Sequence, residues 1–402
     1  MKSTSVLKFG GSSVATVEKI QAIAETIKKR RESGEDIVVV LSAMGKTTNS
    51  LIDLAKNVTE NPNEREMDML MATGEQVSIA LLSMALNSNE CPAIALTGLQ
   101  AGIKTDDVHT KARIEEVDAE NILAHLAEGK VVIVAGFQGV TESGEITTLG
   151  RGGSDTTAVS IAAVLACSCE IYTDVDGVYT IDPRVYPTAK KLDKISYEEM
   201  LEMASMGAKV LETRAVEMAS KFKVPVLVAI STQNMPGTWI EECDEQMEKK
   251  AVTGLSIDEN CLMVTLNTIP YRTKHIAQIF SAMAKEHINI DMISQTAPHN
   301  SFVNISFTAR KEDRRHVVEV LKELTNAFPS MEYDFDDTVV KLSVVGLGMV
   351  SQTGVAAQLF EIFSEADVDF YQVTTSEISI SYTIARQDRD VIVSAIAIAF
   401  DL

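Results

Sequence analysis

An unbroken apolar run, Ile37-Val38-Val39-Val40-Leu41, constrains the fold of this chain more than any other feature. A strand without alternating polar residues is buried on both faces, as in the middle of a parallel sheet. Other short strand patterns occur at residues 6–9, 93–96, 131–135, 171–172 and 226–230. Helical spacing of apolar residues separates them, so the pattern predicts an open, mainly parallel α/β sheet with helices on both faces.

One of the predicted helices contains an unexpected glycine. Apolar residues from Met67 to Met84 recur at helical spacing, but Gly74 lies among them beside Glu75. Glycine inside a helix costs roughly 1 kcal/mol relative to alanine. Close packing is the favoured explanation for Gly74, and a ligand near Glu75 is the alternative.

Composition excludes several functional classes. The 402 residues suffice for two or three domains, and the net charge of −21 disfavours a nucleic-acid binder or a protein bound to an anionic membrane surface. No apolar run approaches the roughly 18 residues of a membrane span, and the N-terminus lacks the apolar core of a signal peptide. The five cysteines are sparse. We therefore expect a cytoplasmic protein with reduced thiols.

A repeat follows a mostly charged segment at residues 241–250. Ala277-Gln278-Ile279-Phe280 recurs as Ala357-Gln358-Leu359-Phe360. Each copy has predicted strands, at 262–266 and 301–307 in the first and at 339–345 and 377–383 in the second. Helices are predicted at 314–324 and 390–400. The pattern indicates a βαββαβ unit used twice.

The segment Gly150-Arg151-Gly152-Gly153-Ser154-Asp155-Thr156-Thr157 carries the most chemistry. Arg151 can bind a carboxylate or phosphate with two parallel hydrogen bonds, and Asp155 can hold an ammonium group. A helical pattern follows, which Ser154 or Asp155 can cap, so free N–H groups would point at the loop. The alternative is a tight strand-to-helix turn with a surface Arg–Asp pair.

Further polar loops follow other predicted strands. Lys8-Phe9-Gly10-Gly11 ends the first strand, where open α/β sheets bind ligands. Ser42-Ala43-Met44-Gly45-Lys46-Thr47-Thr48 ends with P-loop-like residues, but Val40 stands where that motif needs glycine. A long loop at 173–184 and the segment Met206-Gly207-Ala208-Lys209-Val210 complete the set. Each loop alone is also compatible with an ordinary turn.

Together, in this order, these segments resemble the amino-acid kinase family, and within it the enzymes that phosphorylate L-aspartate. The resemblance covers nearly the whole chain, and the tandem repeat resembles two ACT domains, which are small-molecule regulatory modules. It implies a catalytic domain at 1–243 and ACT domains at 251–330 and 338–402. It also implies transfer of the ATP γ-phosphoryl group to the aspartate side chain, the first step toward lysine, threonine and methionine.

The resemblance also implies the site residues. Catalysis falls to Lys8, which would stabilise the transferred group, and to Asp155, which would orient Lys8 or the substrate ammonium. Substrate contacts are expected from Ser42, Thr47, Glu75, Arg151, Gly152, Gly153 and Ser154. ATP contacts are expected from Lys8, Phe9, Gly10, Gly11, Thr173, Asp174, Tyr179, Arg184, Lys209 and Val210. Arg151 would clamp the α-carboxylate and Glu75 the α-ammonium, while Mg²⁺ would be held by phosphates and water without protein ligands.

The regulatory half departs from the family pattern. Tyr271 and Lys274 stand where the first ACT copy usually has an acidic residue and a glycine, so we expect weak, altered or absent feedback at that copy. ACT modules commonly pair through exposed sheet edges, which predicts at least a dimer. Met247 could begin a separately made regulatory subunit.

Three rival functions stay open at this point. Other amino-acid kinases, acting on glutamate, acetylglutamate or uridylate, share the glycine loops. Gly346-Leu347-Gly348 mimics a dinucleotide fingerprint and raises the possibility of a dehydrogenase, although its third glycine is missing. Two ACT units could also serve as a pure amino-acid sensor.

Overall fold

The computed structural model describes residues 3–208, 210–231, 236–243 and 250–402. They form two compact units. The first comprises the described residues of 1–178, 191–204 and 209–244, and the second those of 179–190, 205–208 and 245–402. The predicted linker at 241–250, Met247 and Lys209 lie wholly or mostly outside the described residues.

The elements of the first unit are as follows. Its strands are β1 (Thr4–Phe9), β2 (Asp36–Leu41), β3 (Ala93–Leu96), β4 (Ile103–Thr105), β5 (Ile114–Val117), β6 (Val131–Ala135), β7 (Gln138–Val140), β8 (Ile146–Thr148), β9 (Ser168–Thr173), β10 (Lys194–Ser196), β11 (Val226–Ile230) and β12 (Thr238–Glu241). Its helices are α1 (Val17–Glu32), α2 (Thr47–Val58), α3 (Glu64–Met71), α4 (Thr73–Ser88), α5 (Glu120–Ala127), α6 (Gly153–Val164), α7 (Tyr197–Ser205) and α8 (Thr213–Phe222).

An eight-stranded sheet organises this unit, in the order β10-β12-β11-β9-β1-β2-β6-β3. The strands from β11 to β3 are parallel, and β10 and β12 run opposite to them. All five residues of the Ile37–Leu41 run are fully buried in β2, as their unbroken apolar pattern predicts. Ile37, Val39 and Leu41 pack with α1 and α4, and α6 contacts β1, β2 and β9. The predicted α/β fold class is confirmed.

The sequence patterns missed some of the shorter elements. A second sheet, in the order β5-β4-β7-β8, includes β4 and β5, neither of which had been predicted. The long helix predicted from Met67 to Met84 is broken at Ala72 into α3 and α4, and Gly74 lies inside α4.

The stretch Glu64–Ser88, which holds α3 and α4, is long and apolar enough to cross a membrane by length and composition alone. Here Ile79, Leu82 and Leu86 of α4 belong to the buried core beside β2 and β6. Core helices of globular domains pass the same length and composition test, and α4 is one of them in this fold.

The second unit contains the repeat. Its strands are β13 (Gly254–Asp258), β14 (Cys261–Pro270), β15 (Ile293–Gln295), β16 (Phe302–Arg310), β17 (Glu332–Asp336), β18 (Val339–Val345), β19 (Phe370–Thr375) and β20 (Ser379–Ala385). Its helices are α9 (Thr273–Lys285), α10 (Arg314–Ala327), α11 (Val355–Glu365) and α12 (Arg389–Phe400).

Each repeat copy builds a four-stranded antiparallel sheet that packs against its own two helices. The sheet orders are β15-β16-β14-β17 and β13-β18-β20-β19. The second sheet takes its fourth strand from β13, which precedes the first copy in the chain and pairs with β18. The repeat pattern gave no indication of this strand. Separate apolar cores fill the two copies.

Candidate active site

Two loops, beyond β1 and β2, meet each other and the end of β9 at the carboxyl edge of the large sheet. The Gly10 N–H donates to the Tyr172 carbonyl at 3.0 Å, and the Gly45 N–H donates to the Gly11 carbonyl at 2.9 Å. A Cβ on Gly11 would lie 2.8 Å from the Ala43 carbonyl oxygen. Glycine is therefore required where the first two loops touch. The parallel order of the strands brings these loops together, as their sequence positions predicted.

A buried ion pair lies at the same edge. The Lys8 Nζ is 2.5 Å from the Asp155 Oδ1. Lys8, near the end of β1, is 8% exposed, and Asp155, in the first turn of α6, is 9% exposed. A paired lysine buried at a ligand edge places a fixed cation where an anionic group can approach.

Glu75 is the second buried carboxylate of this edge. It lies in the first turn of α4 and is 3% exposed. Its Oε1 accepts the Ala43 N–H at 3.0 Å, while its Oε2 has no hydrogen-bond partner among the described residues. Burial raises the pKa of Glu75 to about 7, against the opposing effect of backbone hydrogen bonds. An unpartnered oxygen on a buried carboxylate can accept a ligand's cationic group.

Close packing accounts for Gly74. A Cβ at this position would lie 2.9 Å from the Ala43 Cβ. The favoured explanation for this glycine is thus confirmed, and the same contact brings Glu75 to the backbone of Ala43.

The loop from Gly150 to Ser154 enters α6 through left-handed glycines. Gly150 has φ 78° and Gly152 has φ 67°, a region that glycine adopts readily. Gly152 caps the helix without a side-chain hydrogen bond, so the prediction of a Ser154 or Asp155 cap is wrong. The helix begins earlier because the left-handed Gly152 sets the chain direction, which leaves Ser154 and Asp155 inside the first turn.

Two donors of this loop are available for a ligand. Arg151 is exposed and makes no hydrogen bond or ion pair with the described residues. The Ser154 N–H likewise has no partner in the described part of the chain, as expected in the first turn of a helix. A free guanidinium beside a helix N-terminus favours an anionic ligand.

The remaining predicted substrate residues lie in the loop after β2. The Thr47 Oγ1 donates to the Met44 carbonyl at 2.6 Å, and the Ser78 Oγ of α4 donates to the Ser42 carbonyl at 2.9 Å. The Ser78 bond fixes the loop against α4, next to Glu75, and the Thr47 bond closes the turn into α2.

The predicted nucleotide residues are divided between the units. Thr173 ends β9, and its Oγ1 donates to the Asp174 Oδ1 at 3.0 Å. Val210 belongs to the first unit, whereas Tyr179 and Arg184 belong to the second, where Arg184 pairs with Asp182 at 2.6 Å. Lys209 lies outside the described residues.

Sequence reasoning missed two charged residues around the Gly150 loop. Asp68 of α3 is fully buried, and its carboxylate binds Thr110 and Thr148, both close to the start of this loop. The Arg214 Nη1 of α8 donates to the Leu149 carbonyl at 3.1 Å. A carboxylate three residues before the buried Met71, on the same helix face, was an available signal for Asp68. Arg214 had no comparable signal.

The residues described here offer no group of three or more His, Cys, Asp or Glu side chains that could hold a metal ion. Gly346 and Gly348 serve packing: a Cβ would lie 2.3 Å from the Ala251 carbonyl oxygen and 2.2 Å from that of Lys250, respectively. The chain backbone fills the place that a dinucleotide would need, so the dehydrogenase alternative fails.

Comparisons with known proteins agree with this architecture. Residues 3–229 match the amino acid kinase family, and residues 272–324 and 342–400 match an ACT domain. The aspartate kinase of Stutzerimonas stutzeri is 46% identical over 399 residues, which cover 99% of this chain and 97% of that protein. The aspartokinase of Geobacillus stearothermophilus is 47% identical over 392 residues, covering 97% and 95%.

A solved structure shares the complete fold. The E. coli aspartokinase III, in a complex with aspartate and ADP, matches with a TM-score of 0.82 at 24% identity, over 99% of this chain and 100% of that one. By the family matches, the class is a kinase domain of the amino acid kinase type followed by ACT domains. The chain belongs to the aspartokinases of that family. The predicted family and kinase class are confirmed.

Proposed function

We propose that this chain transfers the γ-phosphoryl group of ATP to the side-chain carboxylate of L-aspartate, giving 4-phospho-L-aspartate and ADP. The bond from the γ-phosphorus to the ADP oxygen breaks, and a bond from phosphorus to a carboxylate oxygen forms. The observation that carries the proposal is the buried Lys8–Asp155 pair beside the Gly150–Ser154 loop, in a chain of the aspartokinase family.

Lys8 supplies a positive charge that neither anionic reactant carries. An anionic carboxylate attacks an anionic phosphate, so catalysis depends on positioning and positive charge. Lys8 stabilises the charge on the transferred group, and Asp155 orients the Lys8 ammonium. Their burial strengthens both interactions because water does not screen them.

The substrate is held at both of its charged ends. Arg151 clamps the α-carboxylate through its two-pronged guanidinium, with Gly152, Gly153 and Ser154 contributing backbone and hydroxyl donors. Glu75 receives the α-ammonium on its unpartnered oxygen. Ser42 and Thr47 complete the substrate side from the loop after β2.

The nucleotide lies against the ends of β1 and β9. Its contacts within the first unit come from Lys8, Phe9, Gly10, Gly11, Thr173, Asp174 and Val210, while Tyr179, Arg184 and Lys209 stay predictions from the family resemblance. When bound with ATP, Mg²⁺ would supply further positive charge at the phosphates and would be held largely by phosphate oxygens and water.

Residues 1–243 form the catalytic domain, and residues 251–330 and 338–402 form the ACT modules, with β13 of the first range pairing with β18 of the second. An amino-acid effector acts through these modules. Pairing of ACT edges makes the enzyme a homodimer or a higher oligomer, and it works in the cytoplasm.

Feedback by lysine or threonine at the first ACT copy is weak, altered or absent. Tyr271 is exposed, and Lys274 places a cation in the first turn of α9. Inhibition assays with each amino acid, alone and together, test this. Strong inhibition that survives mutation of the second copy but not of the first would contradict it.

A substrate panel tests the main proposal. ADP release is measured with L-aspartate, glutamate, acetylglutamate and uridylate, and hydroxylamine traps the acyl phosphate as a hydroxamate. We expect turnover with aspartate alone. Turnover of another substrate at a higher kcat/KM, or ADP release without hydroxamate, would reject it.

A further inference from the structure

The side chain of Asp68 has an unusual set of partners. It lies in α3 and is fully buried. Its carboxylate accepts the Thr110 N–H at 3.0 and 3.1 Å and contacts the His109 Nδ1 at 2.7 Å. It also accepts the Thr148 hydroxyl. One buried carboxylate thus binds two chain segments, 109–110 and the end of β8.

Both segments support the base of the Gly150 loop. Thr148 is two residues before Gly150, and its carbonyl accepts the Ala112 N–H at 3.0 Å. The Thr110 carbonyl oxygen lies 3.1 Å from where a Cβ of Gly150 would be. A displacement of residues 109–112 or of Thr148 would therefore move Gly150, and with it Arg151.

Every partner of the Asp68 carboxylate donates to it or can do so. A buried carboxylate is tolerated only when it is paired or hydrogen-bonded. Its bonds to backbone and hydroxyl donors hold more strongly than those of a neutral acceptor. Arg214 fixes the neighbouring Leu149 carbonyl from α8, so the loop is held from two directions.

We propose that Asp68 is a positioning residue, which holds the Gly150 loop so that Arg151 meets the aspartate α-carboxylate. The proposal rests on the function proposed above. Asp68 acts through Thr110 and Thr148 and does not itself touch the substrate. Misplacing a binding group by about 1 Å can cost on the order of a hundredfold in rate, so such support has a measurable effect.

Steady-state kinetics separate positioning from general stability. In Asp68→Ala we expect the aspartate KM to rise about tenfold or more, with the ATP KM within about twofold and kcat within about threefold. Asp68→Asn keeps one acceptor oxygen and should recover much of the loss. Thr148→Val removes one tether and should raise the aspartate KM less than Asp68→Ala does.

Glu199→Ala provides the matched control. Glu199 is also a buried carboxylate, 1% exposed, and it accepts the Ser196 hydroxyl at 2.8 Å beside β10, at the sheet margin. Its loss should lower the melting temperature and leave the aspartate KM within about twofold. Two results would overturn the positioning role. One is an equal rise of the aspartate KM and the ATP KM in Asp68→Ala, and the other is an aspartate KM in Glu199→Ala as high as that in Asp68→Ala.

Hydrogen exchange provides a readout that does not depend on turnover. The Leu149 and Gly153 amides are bonded to the Phe137 and Gly150 carbonyls, and both should exchange faster in Asp68→Ala, with a smaller change in Asp68→Asn. If the wild-type enzyme fails to phosphorylate aspartate, the proposed function falls while this measurement still applies. Unchanged protection of both amides would overturn the role of Asp68.

Discussion

Lys8 and Asp155 form an ion pair between the large sheet and α6. Lys8 lies near the end of the first strand, and its Nζ is 2.5 Å from the carboxylate of Asp155 in the first turn of the helix. The two residues are far apart in sequence, and the parallel pairing of β1 with β9 brings them together. The strand that carries the cation and the helix that carries the substrate loop therefore meet in one ion pair.

Replacing Lys8 with alanine tests the charge at this point. We expect kcat to fall by at least about a hundredfold, because one preorganised donor to a developing charge is worth that much. ATP binding, measured by calorimetry, should be partly kept. Asp155→Asn should reduce kcat less, since the ammonium stays but loses its orientation. Full activity of Lys8→Ala would refute the role of Lys8.

Arg151→Lys tests the two-pronged contact to the substrate. Lysine keeps the charge but not the planar fork, so the aspartate KM should rise about tenfold or more while the ATP KM changes little. Arg65→Lys is the control, since Arg65 is half-buried and already pairs with Glu66 and Glu145. A parallel rise of both KM values in Arg151→Lys would assign this residue to the nucleotide or to folding.

The raised pKa of Glu75 predicts that substrate binding depends on pH. Its pKa is raised to about 7 by burial, so below that pH the carboxyl is largely protonated. An ammonium ligand prefers the ionised form, so aspartate affinity should fall by up to about tenfold per pH unit below 7. Calorimetric titration from pH 5.5 to 8 measures this. Glu75→Gln should bind weakly without that slope, and an equal slope in the variant would exclude Glu75 as its source.

The same shift has a consequence for folding stability. Between pH 4.5, the ordinary pKa of a glutamate side chain, and about pH 7, Glu75 keeps its proton in the folded state but releases it in the unfolded state. Stability is therefore lost as pH rises through this window, by roughly 3 kcal/mol at the limit. Glu75→Gln should be stabilised relative to wild type more at pH 8 than at pH 5, as denaturant titrations at both values would show.

Sequence patterns predicted the large sheet because an unbroken apolar strand such as 37–41 has few alternatives to the middle of a parallel sheet. They placed Lys8 at the end of a strand, where parallel strands share a common edge, Arg151 in a loop before a helix, and Glu75 in a helix beside an unexpected glycine. They missed β13, because periodicity identifies a strand but not its partner across the chain. Asp68 was missed because its role depends on contacts with His109, Thr110 and Thr148, which only the folded chain brings together.

Tyr382 provides a test of the second ACT core. Its ring is fully buried against Phe363 and Phe370, and its hydroxyl has no hydrogen-bond partner within the described ranges. Burial raises the pKa of this hydroxyl to about 12. An unsatisfied buried hydroxyl costs on the order of 1 kcal/mol or more. Tyr382→Phe should therefore leave the free energy of unfolding unchanged or raise it by about 1 kcal/mol.

Tyr172→Phe is the matched control for this substitution. The Tyr172 hydroxyl donates to the Glu170 Oε2 at 2.7 Å, so its removal leaves that carboxylate with one donor fewer. We expect a loss of about 1 kcal/mol in the free energy of unfolding. The two variants delete the same atom, so opposite signs isolate the effect of hydrogen bonding. A destabilised Tyr382→Phe would mean that the buried hydroxyl has a partner, such as an internal water molecule, that stabilises the ACT core.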